Sequence, residues 1–203
     1  MSVATQLPGM SLSPPPYPIY RLTVDRYHDM IRAGIIDEDA RVELLEGCIV
    51  PKMGRNPPHD GAIDLANDGI QPLLPPGWRI RIQESLVTDD SEPEPDLAIV
   101  RGDKRTFLTR HPGPADVGLL VEVSDTSLQR DRVDKGRLYA RGQIVRYWII
   151  NLIDRQVEVY SDPTGPDPNP RYLNRTDYDV NSAVPLILDG QPCGSIPARD
   201  LLP

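Results

Sequence analysis

Two carboxylates stand where a water-soluble chain rarely places them. Asp96 follows Pro95 and opens the apolar run PDLAIV, and Glu122 lies inside the apolar run LLVEV. A carboxylate alternating with Leu and Val carries a burial cost when its strand is covered on both faces, and it must then be paired or bind a metal. If one face of the strand is solvated, Glu122 is ordinary surface charge, and the run alone leaves both readings open. Further on, Asp131 and Lys135 are four residues apart and Tyr139 is four beyond, which puts all three on one face of a helix. Lys135 can reach back from there toward the strand end, although Asp131 and Lys135 also make a plain i, i+4 ion pair of small worth.

These side chains need strands and helices to hold them. Thr23 precedes Val24, Tyr27 and Ile31 at i, i+3, i+7 spacing and Gly34 follows, which predicts a capped helix. Residues 41–50 (RVELLEGCIV) predict a strand that turns at Glu46 and Gly47 and returns. After Pro57 and Pro58, residues 59–74 are predicted helical. Residues 79–88, 96–100 and 118–123 predict strands, the last of the kind buried on both faces. Residues 128–141 predict a helix ended by Gly142, and 145–151 with 156–160 a hairpin. Strands interrupted by helices on a partly antiparallel sheet give an α/β or α+β domain with its core near residues 40–160.

Composition bounds what such a domain can do. The 203 residues carry 22 Lys plus Arg against 30 Asp plus Glu, a net charge of −8, and 39% hydrophobic content, the profile of a soluble globular protein. Residues 21–203 are expected to form one domain. Five of the 23 prolines fall within residues 1–20, which predicts an extended N-terminal arm, and PTGPDPNPR at 163–171 predicts a surface loop. Cys48 and Cys193 have no C-x-x-C or Cys/His spacing, which argues against zinc and against a disulfide scaffold, and a reducing cytosol fits best. No apolar run of about 18 residues or signal peptide is present, so a cytoplasmic protein without membrane contact is expected. The acidic balance opposes unassisted nucleic-acid binding, which would need a local patch. Arg101, Lys104, Arg105 and Arg110, with Arg130, Arg132, Arg137 and Arg141, are the candidates, unless they are ordinary mixed surface charge. A carboxylate site for a divalent metal suits an acidic chain.

The arrangement as a whole resembles the Uma2-type family of restriction-endonuclease-like proteins. The matching pieces are RVELLEG, the PPH at 57–59, PDLAIV, LLVEVSDTS, the D-x-x-x-K-x-x-x-Y of Asp131, Lys135 and Tyr139, and VRYWIINL followed by VEVY, in family order. The resemblance implies a PD-(D/E)xK nuclease fold, a mixed central sheet flanked by helices, with metal-dependent phosphodiester cleavage. Asp96 then matches the motif aspartate and Glu122 the motif glutamate. Ser124 stands where the wider superfamily has lysine, and that role looks displaced onto Lys135. Glu43 matches an acidic residue that precedes the motif and would complete the metal site.

The implied cofactor is Mg²⁺ or Mn²⁺, held by Asp96, Glu122 and the backbone carbonyl of Val123. Lys135 would stabilise the charge of the transition state. His59 would contact phosphate or a metal-associated water, or else cap and pack its own helix. Gln83 and Glu84 alternate faces, so one of them supports the site, and Asp131 orients Lys135. Tyr139, Tyr147 and Trp148 are read as core. The implied partner is DNA, with RNA and strandedness open, and a homodimer is expected because one compact unit cuts one strand at a time. The alternatives are an inactive nuclease-fold module that binds nucleic acid or protein, and a structural domain whose carboxylates are ion-paired.

Overall fold

The computed structural model describes residues 17–37 and 39–203, so most of the expected arm over residues 1–20 lies outside the described residues. Helix α1 (Val24–Arg32) starts where expected, with the Thr23 side chain accepting the Arg26 N–H. Strands β1 (Val42–Leu45) and β2 (Cys48–Pro51) form the expected hairpin. Its two-residue turn holds Glu46 at φ 48° and Gly47 at φ 73°, the left-handed pair that matches strand twist. Helix α2 (Pro57–Ile70) is capped by Asn56, which accepts the His59 N–H, and tolerates two prolines in a first turn that needs no N–H donors.

Next come β3 (Trp78–Ile82), β4 (Leu97–Arg101), β5 (Val117–Ser124), β6 (Arg146–Asn151), β7 (Gln156–Pro163) and β8 (Tyr172–Asp179), which form one sheet in that spatial order. Only β5 and β6 run parallel. This is the mixed central sheet the sequence led us to expect. Strand β3 stops at Ile82 rather than continuing to residue 88. Gln83 adopts φ 52°, and its N–H turns to the Asp96 carbonyl at 3.1 Å, which breaks the pleat beside the site.

The helix expected over 128–141 is present but not uniform. Helix α3 (Leu128–Arg130) passes through a π-helical turn (Asp131–Lys135) into α4 (Gly136–Arg141). In that turn the Gly136 N–H reaches back five residues to the Asp131 carbonyl, which also accepts the Tyr147 hydroxyl at 3.1 Å. Strand β8 and the hairpin of β9 (Ala183–Leu188) and β10 (Gln191–Pro197) were not anticipated, and Val184, Leu186, Leu188, Ile196, Leu201 and Leu202 extend the core well past residue 160. Strand β8 escaped the hydrophobic pattern because it is an exposed, polar edge.

The sheet is covered on both faces. One face, carrying Leu97, Ile99, Leu119, Val121, Trp148 and Ile150, packs on α2 and the β9–β10 hairpin. The other, carrying Ala98, Val100, Leu120, Tyr147 and Ile149, packs on Leu138, Tyr139 and the β1–β2 hairpin. Strand alternation puts Glu122 on this second face, between Leu120 and Ser124, so it is buried at 3% exposure. Gly118 marks how closely the first layer approaches. A Cβ there would lie 2.5 Å from the Trp78 ring and 2.9 Å from Leu188. Gly118→Ala is therefore expected to destabilise the fold by about 1–3 kcal/mol through overpacking. Urea unfolding checks this, and an unchanged midpoint would mean that the β9–β10 hairpin does not press on β5 as described.

Candidate active site

The site forms where β4 begins and β5 ends. Asp96 Oδ2 accepts the Val123 N–H at 2.9 Å and lies 3.3 Å from His59 Nε2, while Oδ1 accepts Gln83 Nε2 at 3.2 Å. The Ser124 carbonyl accepts the Leu152 N–H on the β6 side. Backbone alternation therefore turns both the N–H and the C=O of Val123 the other way, toward Asp96. Glu122 Oε1 accepts Lys135 Nζ and the Tyr139 hydroxyl, each at 2.7 Å. Its Oε2 has no hydrogen bond from a described residue, and Glu122 lines the cleft. Asp96, Glu122, Val123, Lys135 and His59 all line one cleft of about 400 Å³, walled by the β1–β2 hairpin and the turn at 125–127.

Burial and neighbouring charge compete at each group. Burial raises the Glu122 pKa to about 8, with Lys135 pulling it down and Asp96 and Asp131 pushing it up. Burial also works against the Lys135 ammonium, but Glu122, then Glu43, Asp131 and Asp96, overcome it and raise the pKa, so Lys135 is a buried cation. Burial would raise Asp96, yet His59, Lys135 and the Val123 N–H hold it below the usual carboxylate range. Burial would lower His59, but Asp96 first and Asp60 second raise it.

Of the other candidates, Glu43, Gln83 and Asp131 line the same cleft, and Glu84 and Ser124 do not. Glu43 has both oxygens engaged, Oε1 with Arg130 Nη2 at 2.7 Å and Oε2 with the Glu94 N–H at 3.3 Å. Glu43 lines the cleft and ties the hairpin to the helix, and among the described residues no three His, Cys, Asp or Glu side chains form a ready metal cluster. Of the adjacent pair, Gln83 reaches the site. Glu84 pairs with Arg81 and is exposed. Asp131 accepts Ser124 Oγ at 2.7 Å and Ser127 Oγ at 2.6 Å, so it acts on Lys135 through its field rather than by contact.

Tyr139 is core, as expected, but its hydroxyl is also a site donor. Its i+4 spacing from Lys135 was the signal. Ser127 closes the LLVEVSDTS piece but was not singled out, and Arg55, which bonds Gln83 Oε1, gave no signal. The anticipated basic patch does not form from most of its members. Arg101 pairs with Asp189, Arg110 with Asp116, Arg130 with Glu43, Arg132 with Glu158, Arg137 with Glu46, and Arg141 with Glu46 and Asp90.

A hard divalent cation fits this donor set. Asp96, Glu122 and the Val123 carbonyl are the oxygens that would hold it, and an ion that keeps several waters needs no third carboxylate. His59 Nδ1 is sealed from solvent without a hydrogen-bond partner among the described residues, 3.7 Å from Asp60 Oδ1, so the ring meets the site through Nε2 and Asp96.

Comparison with known proteins bears on the fold and the family. A crystal structure described as "a putative nuclease belonging to DUF820" from Anabaena variabilis superposes with a TM-score of 0.63 at 15% sequence identity, covering 89% of this chain and 97% of that one. At that identity the likeness concerns the fold. No curated protein matches. The sequence model of the Uma2 family, described as "Putative restriction endonuclease", matches residues 24–187, which is most of the chain, and the protein belongs to the Uma2 family.

Proposed function

We propose that this chain is a metal-dependent endonuclease that hydrolyses phosphodiester bonds in DNA. The observation that carries the reading is the convergence, on one cleft floor, of Asp96, the Val123 backbone and a Glu122 that holds the Lys135 ammonium at 2.7 Å. Mg²⁺ or Mn²⁺, when bound, would lower the pKa of a water and polarise the scissile phosphate. Asp96 stays ionised because the Val123 N–H and His59 favour its charged form. Lys135 presents a fixed positive charge to the extra negative charge that phosphorus gathers in the transition state, in a site with little water to screen it. A lysine suits delivery from the neighbouring helix because its long stem places a compact charge at a distance from its own backbone. His59, raised in pKa by Asp96, supports the ionised carboxylate through Nε2.

The second reading, an inactive nuclease-fold module that binds a partner, is favoured by one observation. Two of the cations lining the cleft are ion-paired, Arg130 with Glu43 and Lys52 with Glu94, which leaves Arg41 and Arg55, bonded to the neutral oxygens of Met53 and Gln83. Few remain for phosphates.

Purified protein is expected to nick plasmid DNA with Mg²⁺ or Mn²⁺ and not with EDTA. Asp96→Asn, Glu122→Gln and Lys135→Met should each lower the rate by about 10²–10³-fold, the scale seen when one transition-state contact is lost. Glu122→Ala is a poor probe, because it strands a buried ammonium and should cost about 3–5 kcal/mol of stability. Absence of cleavage together with absence of any metal-induced rise in Tm would favour the binding module.

With few free cations, DNA affinity should fall by no more than about 50-fold between roughly 50 and 200 mM salt, corresponding to about three phosphate contacts. A steeper fall in a titration by fluorescence anisotropy would show a basic surface not described above. The His59 ring should titrate above the usual imidazole value by NMR, and Asp96→Asn should bring it down. Because the folded value is raised, the stabilisation from the His59–Asp96 pair is complete below the unfolded value of about 6.5 and is lost as pH rises through the folded one.

A further inference from the structure

Glu158 is a second carboxylate sealed on the helix-bearing face of the sheet, and the cleft chemistry makes no use of it. It has no exposed surface. Register places it in one row with Glu122, since Glu122 pairs with Ile149 on β6 and Ile149 pairs with Glu158 on β7. With strands about 4.8 Å apart, the two carboxylates project from points about 10 Å apart on the same face. The π-helical turn spans this row and sets one cation on each. Lys135 bonds Glu122 Oε1 at 2.7 Å, and Arg132 bonds both oxygens of Glu158, Nε to Oε2 at 3.0 Å and Nη2 to Oε1.

We propose that the Arg132–Glu158 pair is a positioning clamp that fixes the π-helical turn so that Lys135 is held against Glu122, an inference that rests on reading Lys135 as the catalytic ammonium. A turn closed by i to i+5 bonds is rare and needs tertiary contacts to persist. Lysine alone cannot supply them, because its stem has large rotamer freedom and its ammonium accepts many approach directions. A guanidinium bonded to two oxygens of one carboxylate has a single geometry. Glu158 is itself immobilised by Asn151 Nδ2 and the Tyr160 hydroxyl, each at 2.7 Å, and by Arg175 Nη2 at 3.2 Å. It is therefore an anchor that stays in place when the turn moves. Burial of the pair is weak grounds for a role in stability alone, since apolar replacements of such pairs are often neutral.

The chain has three lysines, Lys52, Lys104 and Lys135, so reductive methylation followed by mass spectrometry reads Lys135 against two internal references. Arg132→Met is the principal variant. It leaves Glu158 three other donors and is expected to fold, which circular dichroism and thermal melting verify. In it, Lys135 should be methylated about 10-fold faster or more relative to Lys52 and Lys104. Its kcat for DNA cleavage should fall about 10- to 100-fold with KM unchanged, the range typical when a supporting contact is lost. Arg132→Lys should recover part of both effects, and Glu158→Gln should reproduce them if it folds.

A folded Arg132→Met protein whose Lys135 stays as protected as in the wild type overturns the clamp. So does one in which methylation accelerates while kcat is unchanged. If wild-type protein cleaves no nucleic acid, the nuclease reading fails on its own, and the protection of Lys135 alone then decides whether Arg132 and Glu158 position it.

Discussion

The structure turns on burying an ammonium against a carboxylate. Removing two such charges from water carries a penalty of several kcal/mol per ion, which their attraction offsets only with good geometry and further hydrogen bonds. Glu122 has both: Lys135 and the Tyr139 hydroxyl converge on Oε1. For that to happen, a helix must lie directly over the C-terminal end of β5, close enough for a lysine to be sealed beneath it. The departures from regular geometry around the site serve this requirement. The π-helical turn lets Lys135 and Arg132 address different strands, and Tyr147 occupies the carbonyl the turn exposes. The tyrosines 139, 147, 160 and 172 fill the wedge behind it, with neighbouring ring centroids 5.1–6.0 Å apart.

Asp96 is held by a different logic. Its donors are the Val123 backbone, His59 and Gln83, which come from three elements that meet only here. Gln83 accepts a left-handed conformation to do so, a backbone cost of order 1–3 kcal/mol that persists only when the surroundings impose it. The two carboxylates therefore differ in character. Asp96 is pushed toward its ionised form, whereas burial pulls Glu122 toward its neutral form and Lys135 opposes it. Such a divergence between adjacent acids is the usual mark of a site with chemical work to do, although ion-paired structural networks produce it as well.

Charge outside the cleft is arranged mostly for the protein itself. The arginines of the helix spanning 128–141 reach the β1–β2 hairpin through Glu43 and Glu46 and the sheet through Glu158, lacing three layers together. With a net charge of −8 there is no shortage of partners for them. On the proposed function, DNA would be held by the cleft floor more than by a basic surface, since long-range attraction of a polyanion to an acidic chain is weak.

The local part of this architecture was legible from sequence. The α1 cap, the hairpin turn at Glu46 and Gly47, the strand cores and the order of motifs depend on neighbours within a few residues, and residue type alone carries that information. The family order of short motifs likewise pointed to Asp96, Glu122 and Lys135 together. What sequence left open was decided by contacts between residues far apart in the chain. Whether Glu122 was surface or core depended on a helix covering both sides of the question, and the α3–α4 segment settled it by packing over β5. Gln83 rather than Glu84 reaches Asp96 because a positive φ, invisible in a string of residues, breaks the alternation there. Glu43 was the right type in the right order, but its partners, Arg130 and the Glu94 N–H, lie 87 and 51 residues away and no spacing announces them. Arg132 and Glu158, 26 residues apart in sequence, meet only because β-sheet register brings Glu158 into the row of Glu122. Spacing along the chain specifies a helix face or a strand face, but only packed layers determine which faces meet.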